Sequence, residues 1–403
     1  MARSSVENWS GSISFTPQKL ARPGNERDVV RLVRRARRRG SGVRPIGSGH
    51  SSTPLMNTDD VLVSLDRMSG VVEADPDLGR ASILPGTGLS ELGAELEQFG
   101  LAMENLGDVD YQTIAGALGT GTHGSGITLG NLSSTMIGGR LVTGTGEVLP
   151  FGVDAGEDPS DPLARAAQVS LGTLGILTSV TLQLEEAHEL HRQNWMTHID
   201  WVLEHFDQLV RSHRSVDFYW YPRSDLAQVR TLDKPGQEPD LMPPGELKKD
   251  VVGPNYEVIP NDRHLKFEEM EYMLPLDTSL EAFREVRRRV KEVHRSQVGW
   301  RVLVRTIAAD QAMISNAQHR QTMTIALLQN HSLPYEDYFD DLEPVFREFR
   351  GRPHWGKKHS LKAPQLRMLY PEWADFQALR RDLDPDGIFL NDYLRELFGE
   401  EDR

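Results

Sequence analysis

The sequence predicts an α+β fold in two parts that differ in composition. Short apolar runs separated by turns rich in Gly, Ser and Asp occupy the first half, a pattern typical of short strands joined by tight turns. Near residue 186 the composition shifts to longer helical patterns and more aromatic side chains. With 403 residues, the chain is long enough for two or three domains and for a core that encloses a deep cleft.

The first half opens with a predicted helix over residues 26–39, because Val29, Val33 and Ala36 recur at helical spacing between arginines. We interpret its arginine run as a solvated helix face rather than an anion site. The other elements expected here are a short strand leading into a Gly/Ser loop (42–51), strands 61–65, 70–74 and 81–85, a helix 89–99, a Gly- and Thr-rich segment (101–150) with few helix signals after Ala115, and a turn with a strand (168–183).

The second half is expected to alternate helices and strands. Residues 232–265 are rich in Pro, Gly and Asp and predict a long exposed loop or lid edge. The remaining elements expected are a strand 265–275, a helix 278–295, a strand 300–307, a helix 336–350 and short helices from about 365.

Composition excludes several classes of function. The absence of cysteine rules out disulfides, zinc–thiolate sites, iron–sulfur clusters and a cysteine nucleophile. A formal net charge of −14 argues against nucleic-acid binding. The sequence contains no run of about 18 apolar residues, so no membrane span is predicted. The first 15 residues do not resemble a signal peptide, so a cytoplasmic protein is expected. The histidines show no metal-site spacing, and no bound metal is expected.

Two stretches match nucleotide-binding motifs only in part. Residues 119–124 (GTGTHG) match GxGxxG, but the sequence that follows is a poor helix opening, which a dinucleotide-binding unit requires. Residues 351–357 match GxxxxGK, but Lys358 stands where a P-loop needs Ser or Thr. GxSxG is absent, so no α/β-hydrolase nucleophile is indicated.

Two glycine-rich loops remain, GSGHSS (47–52) and GTGTHGSG (119–126), and each carries one histidine. Closely spaced glycines allow backbone N–H groups to converge on an anion. Two such loops could hold the two phosphates of a dinucleotide from opposite sides. They could equally be two tight turns at strand ends, and the residues alone leave both interpretations open.

The sequence resembles the vanillyl-alcohol-oxidase-type flavoproteins, and within them the branch of aldonolactone oxidases, aldonolactone dehydrogenases and alditol oxidases. Each matching stretch is weakly specific alone, but seven occur in the family's order over nearly the whole chain. They are RPIGSGHS (44–51), ENLGDVD (104–110), IAGALGTGTHGSG (114–126), VSLGTLGILTSVTL (169–182), MEYMLP (270–275), RPHWGKKH (352–359) and LDPDGIFLNDYL (383–394).

The resemblance implies a two-domain fold: an FAD-binding domain (1–185), a substrate domain with a sheet over the flavin (186–370), and a C-terminal segment (371–403) that returns to the first domain. It implies FAD bonded covalently through His50 to the 8α-methyl carbon. The cofactor-binding residues that it implies are His50, Ile46, Gly47, Ser48, Gly49, Ser51, Gly107, Thr113, Gly116, Thr120, Gly121, Thr122, His123, Ile176, Lys357 and Asn391.

The implied reaction is oxidation of a CH–OH carbon of an aldonolactone or sugar alcohol, with hydride passing to flavin N5. Lys357 matches the family lysine near flavin and substrate, and Arg305 matches an arginine that contacts substrate oxygen. Gly107 matches a glycine of relatives that react with O2, which favours an oxidase over an enzyme that uses another acceptor.

The sequence departs from the family at two substrate contacts. The family's Glu-x-Arg has Leu303 in place of the acid, and a histidine of the next strand has no match in residues 324–330. Candidates for the acid–base role are Glu271, Asp108, His359 and Asn391. Three alternatives stay open: an oxidase of a less polar alcohol, a flavin-binding protein without catalysis, and a nucleotide-binding scaffold without flavin.

Overall fold

The computed structural model describes residues 4–400, and its first long helix shows how local sequence sets the elements. Asn25 caps this helix by accepting a hydrogen bond from the backbone N–H of Asp28, and acidic residues occupy the first turn while arginines occupy the last. Both features stabilise the two ends of a helix. Val29, Val33 and Ala36 form its buried stripe.

The helices range from four to 14 residues, and the two longest lie in the second half. In chain order, α1 to α11 span Glu26–Arg38, Leu89–Glu97, Ile114–Thr120, Pro162–Gln168, Ile199–Ser212, Asn255–Val258, Leu276–Arg289, Glu336–Glu348, Ala363–Leu369, Trp373–Leu383 and Asp392–Phe398. No helix within residues 4–400 has both the length and the apolar character that crossing a bilayer would require.

The strands in chain order, β1 to β20, span Val6–Glu7, Ser14–Phe15, Lys19–Ala21, Val43–Ile46, Val61–Ser64, Val71–Asp75, Arg80–Ile83, Leu101–Ala102, Met136–Val142, Val148–Gly152, Ile176–Gln183, Glu185–Glu186, Glu189–His198, Ser215–Tyr221, Leu226–Asp233, Glu246–Pro254, Phe267–Pro275, Val302–Ile307, Thr322–Asn330 and Arg352–Pro353. The first half contains a parallel sheet (β3-β5-β4) and an antiparallel sheet (β10-β9-β11-β7-β6). The second half contains one antiparallel sheet of eight strands, in the order β16-β13-β15-β14-β18-β19-β17-β20.

The two faces of the eight-stranded sheet differ in chemistry. Helices α5, α7 and α8 pack on one face, where apolar side chains such as Met270, Tyr272 and Val304 form the largest core cluster. Because side chains alternate along a strand, Glu269 and Glu271 of β17 point to the opposite face. That face is turned toward the glycine-rich first half.

The C-terminal segment packs against the first half of the chain. The carbonyl of Ile388 accepts a hydrogen bond from the backbone N–H of Val43 at 2.7 Å, and the carbonyl of Phe389 accepts one from the Arg44 guanidinium at 2.5 Å. Both bonds hold the segment beside β4, which leads into the first glycine-rich loop.

Most elements expected from the sequence occur in the structure, with three differences. The predicted loop over 232–265 is wrong in part, because it contains β16 and α6. The segment after Ala115 continues α3, which ends at Gly121 in a left-handed conformation (φ 72°). The helix predicted for 278–295 starts at Leu276 and finishes in a π turn.

Candidate active site

A cavity of about 400 Å³ lies where the first glycine-rich loop meets the start of α3 and the turn before β11. The loop follows β4 and brings its backbone alongside the α3 segment. Ten of the residues expected at the cofactor line this cavity: Ile46, Gly47, Ser48, Gly49, His50, Ser51, Thr113, Gly116, Thr120 and Ile176.

Glycine at position 47 is required by the closeness of these two segments. A β-carbon built on Gly47 would lie 2.3 Å from the hydroxyl oxygen of Thr113, a distance that no side chain tolerates. Gly49 has φ +69°, in the left-handed region that favours glycine. Glycine thus lets two backbone segments that line one cavity approach closely, and glycine-rich backbone of this kind can present N–H groups to a phosphate.

A second, smaller cavity of about 60 Å³ lies beyond His50, under the polar face of the eight-stranded sheet. His50, Ser51, Gln112 and Thr120 line both cavities and join them. Ten of the predicted site residues line the second cavity: His50, Ser51, Gly107, Asp108, Thr120, Thr122, His123, Glu271, Arg305 and Lys357.

The His50 side chain is half-buried and lies at the junction of the two cavities. Burial, together with the positive charge of Lys357, lowers the pKa of His50 to about 3, so the ring is neutral at physiological pH. Its Nδ1 atom is buried without a hydrogen-bond partner. The ring therefore has an unused lone pair or N–H at Nδ1. It lies beside a cavity with the glycine-rich lining that suits a dinucleotide, and the site fits FAD.

Glu271 and Arg305 form a buried ion pair at the centre of the second cavity. Arg305 donates from Nη2 to Glu271 Oε1 at 2.6 Å, while Glu271 Oε2 is buried with no partner. Burial alone would raise the pKa of Glu271, but Arg305 and the nearby His123 outweigh it and hold the pKa well below its usual range. Glu271 is therefore an ionised carboxylate with one oxygen that has no hydrogen-bond partner.

Two histidines flank this ion pair. His123 Nδ1 lies 2.9 Å from the carbonyl of Gly124, so Nδ1 carries the proton and Nε2 is an acceptor. His354 Nδ1 accepts from the N–H of Gly356 at 3.0 Å, which assigns its proton to Nε2. Burial lowers the pKa of both rings. The atoms of both histidines and of Glu271 that could bind a metal ion lie within 4.8 Å of one another. Arg305, however, already donates a hydrogen bond to Glu271 Oε1.

Lys357 is paired with Glu269, which precedes Glu271 by two residues on β17 and lies on the same face of the sheet. Its ammonium group donates to a Glu269 carboxylate oxygen. Burial and the negative charge of Glu271 raise the pKa of Glu269 in spite of this lysine. The cavity thus presents two acid–base pairs side by side, Lys357–Glu269 and Arg305–Glu271.

Asp108 lines the cavity but is already bound by other side chains. It accepts hydrogen bonds from the Tyr219 hydroxyl at 2.8 Å, from Asn261 at 2.7 Å and from Arg263 at 2.7 Å. Burial would raise its pKa, but Arg263 and Arg230 lower it far more. Asp108 is therefore a permanently ionised anchor for arginine and lacks a free oxygen for a proton-transfer role.

Three predicted residues lie outside both cavities, so the roles expected for them have no geometric support. The His359 ring contacts the Tyr393 hydroxyl at 3.3 Å. Asn391 caps α11 and donates to the carbonyls of Pro54 and Asn57 at 2.8 and 2.9 Å. Gly121 terminates α3.

The sequence analysis missed Glu269 and His354 as residues of the site. The signal was present for both, since Glu269 alternates with Glu271 along a predicted strand and His354 belongs to the HWGK stretch that contains Lys357. Phe267, Leu303 and Leu328 also line the second cavity and form its apolar wall.

The fold and the paired cavities define an FAD-dependent oxidoreductase that acts on CH–OH groups, and comparison with known proteins gives its family. Residues 17–152 match the FAD binding domain, and residues 180–248 and 240–397 match the D-arabinono-1,4-lactone oxidase family. The chain belongs to this family of flavoproteins.

Relatives match along nearly the whole chain. The L-gulono-1,4-lactone dehydrogenase of Mycobacterium tuberculosis is 34% identical over 97% of this chain and 98% of its own. An alditol oxidase of Streptomyces sp. is 29% identical over the same shares, and the L-gulonolactone oxidase of Bos taurus is 25% identical over the same shares. Among solved structures, cholesterol oxidase from Brevibacterium sterolicum superposes with a TM-score of 0.85 at 18% identity, covering 98% of this chain and 97% of that one, which shows a shared fold.

Proposed function

We propose that this protein oxidises a carbinol carbon of an aldonolactone or sugar alcohol in the second cavity, using FAD attached covalently through His50. The observation that carries the proposal is the junction of the two cavities at His50. A cofactor whose diphosphate occupied the larger cavity and whose ring system reached the smaller one would pass beside this imidazole. The names of the relatives supply the substrate class.

The properties of His50 suit it to form the bond. A neutral imidazole is nucleophilic toward an electrophilic carbon such as the flavin 8α-methyl, and burial and Lys357 keep this ring neutral. Trp9 lies 4.7 Å away, ring centre to ring centre, and limits the orientations of the imidazole.

Bound FAD supplies the hydride acceptor, and the protein's task is to place the carbinol and manage charge. Glu271 Oε2 accepts the hydrogen bond of the substrate hydroxyl and takes up its proton. A carboxylate of low pKa suffices, because the hydroxyl becomes strongly acidic as its carbon loses hydride.

The two cations stabilise the charges that develop during the reaction. Arg305 donates both to Glu271 and to the backbone carbonyl of His123 at 2.9 Å, so it is held rigidly beside the substrate oxygen. Lys357 lies near enough to His50 to lower its pKa, and its charge would offset negative charge on a reduced flavin bound beside His50. Such preorganised charges need no rearrangement during the reaction.

We propose O2 as an electron acceptor, since Gly107 lines the second cavity. A β-carbon at this position would lie 3.2 Å from both Thr122 Cγ2 and the Val109 carbonyl, so a larger residue would crowd this wall of the cavity. A cytoplasmic location stays a prediction from the sequence, and cell fractionation tests it.

We also propose that residues 1–185 and 371–403 form the FAD-binding domain and that residues 186–370 form the substrate domain. The eight-stranded sheet, which runs from Glu189 to Pro353, supports the second assignment. The hydrogen bond from Val43 to Ile388 supports the return of the C-terminal segment to the first domain.

The apolar wall of Phe267, Leu303 and Leu328 favours a second candidate substrate, a less hydroxylated alcohol. Anaerobic mixing of the yellow protein with L-gulono-1,4-lactone, D-sorbitol and 1,2-hexanediol separates the two. Bleaching of the flavin band by the lactone or sorbitol supports the proposal. Bleaching by hexanediol alone supports the second candidate, and a flavin that none of them reduces contradicts both.

A further inference from the structure

Arg301 lies just before β18, two residues along the chain from Leu303, which lines the second cavity. We call residues 300–301 the rim. Its guanidinium carbon is 4.4 Å from the ring centre of Tyr219 and 5.7 Å from that of Trp300. Tyr219 pairs with Leu303 across the sheet, and its hydroxyl donates to Asp108. Since Leu303 and Asp108 both line the cavity, Arg301 stands on the same side of the sheet, farther out.

Arg301 differs from the other cations of the site because it has no acidic partner. Arg305, Lys357 and Arg263 each pair with a carboxylate. Within residues 4–400, no carboxylate oxygen lies within 4.0 Å of the Arg301 guanidinium. A guanidinium stays charged at any physiological pH, so the rim carries one uncompensated positive charge.

Two hydrogen-bond donors at this rim are also unused. The Nε atom of Arg301 and the indole Nε1 of its neighbour Trp300 are both buried with no acceptor. Leaving a buried donor unsatisfied is costly. An acceptor-rich group bound beside Arg301 would therefore be attracted by its uncompensated charge.

A row of aromatic rings connects this rim to His50. The ring centres are 4.7 Å apart for His50 and Trp9, 5.1 Å for Trp9 and Phe267, and 5.8 Å for Phe267 and Trp300. Flat rings of this kind pack on the C–H surface of a carbon chain. The row thus lies between His50 and the rim, and two of its rings, His50 and Phe267, line the second cavity.

We propose that Arg301 binds an oxyanion, a carboxylate or a phosphate, carried by the substrate at the end remote from the oxidised carbon. The inference rests on the proposed function and narrows its substrate class to acidic or phosphorylated sugar derivatives. Arginine suits both anions because its planar fork matches their oxygens. Arg301 is a specificity residue in this account and does not touch the reacting carbon.

A six-carbon series that differs only at one end tests the proposal: D-sorbitol (neutral), D-gluconate (carboxylate) and D-sorbitol 6-phosphate (phosphate). Each is titrated anaerobically into Glu271→Gln holoenzyme, in which turnover is suppressed, and tryptophan fluorescence with the flavin absorption band gives the dissociation constant. We expect at least one anion to bind about tenfold tighter than sorbitol. The tighter of the two anions identifies the natural group.

Adding Arg301→Gln should abolish that preference and change sorbitol binding less than about twofold, whereas Arg301→Lys should retain part of it. Arg284→Gln, on the exposed surface of α7, removes the same charge elsewhere and should leave all three constants unchanged. Equal binding of the three compounds, or an equal loss of all three in Arg301→Gln, overturns the inference. The proposed function fails separately, if neither sorbitol nor the lactone bleaches the wild-type flavin.

Discussion

Glu271 and Leu303 lie on opposite sides of Ala326 in the eight-stranded sheet, and each is paired directly with it. Leu303 stands where the family carries an acid on the same strand as Arg305. The carboxylate that binds Arg305 here comes instead from β17, with β19 between them. The site therefore contains the Glu–Arg pair, although the sequence of β18 alone lacks it.

The first prediction concerns Glu271 as the group that receives the hydroxyl proton. Glu271→Gln should lower the rate of flavin reduction by about 10²–10⁴-fold, the usual contribution of a general base, while FAD content stays unchanged. Glu268→Gln is the matched control, because Glu268 is a buried acid of the same strand that pairs with Lys358 and does not line the cavity. Equal loss of rate in both variants would assign the effect to the strand rather than to Glu271.

The second prediction separates the structural role of the Lys357–Glu269 pair from its role in the reaction. Lys357→Met leaves Glu269 buried without a partner and should destabilise the fold by about 3–5 kcal/mol. The double variant Lys357→Met/Glu269→Gln should recover most of this stability, measured by urea unfolding. It should still reduce its flavin slowly with substrate, since the cation is missing. A double variant with wild-type rates would show that Lys357 is only structural.

The third prediction tests the close approach of the two backbone segments. Gly47→Ala places a β-carbon against the Thr113 hydroxyl, 2.3 Å away, and should open the larger cavity and lower the FAD content of the purified protein. Gly24→Ala, in an exposed loop with only one atom within 4 Å at 3.9 Å, should keep full FAD content. The ratio of absorbance at 450 nm to that at 280 nm measures the FAD content of each variant. Equal ratios for Gly47→Ala and Gly24→Ala would contradict the prediction.

The fourth prediction concerns pH. Burial lowers the pKa of His359 from 6.5 to about 4, so the unfolded chain binds more protons than the folded one between these values. The stability contributed by the neutral ring is therefore complete above pH 6.5 and is lost as pH falls toward 4, at up to about 1.4 kcal/mol per pH unit. The unfolding free energy of His359→Asn should depend less steeply on pH in this window than that of the wild type. Parallel curves would contradict the assignment.

Local patterns were sufficient to predict much of the fold. The stripe of Val29, Val33 and Ala36 predicted α1, and the first glycine-rich loop was expected at the cofactor and lines the larger cavity. The edge strand β16 was missed because its residues are largely exposed. Its strand conformation comes from pairing with β13, which is distant in sequence.

The arrangement of the site was harder to predict than its members. Glu271 was one of four candidates for the acid–base role, and the choice depends on the registers of β17, β19 and β18 together. Register is set by packing of whole strands, which no short motif contains. His359 and Asn391 lie in stretches that resemble the family, but both are outside the two cavities. A residue in a matching stretch can therefore be structural.

The most direct test of the account is the fate of the flavin after denaturation. The wild-type protein, precipitated with acid and washed, should keep its yellow colour and show flavin fluorescence in a denaturing gel. His50→Ala should release its flavin under the same treatment, whereas His331→Ala, at an exposed position, should retain it. Free FAD in the wild-type supernatant and a colourless pellet would contradict attachment through His50.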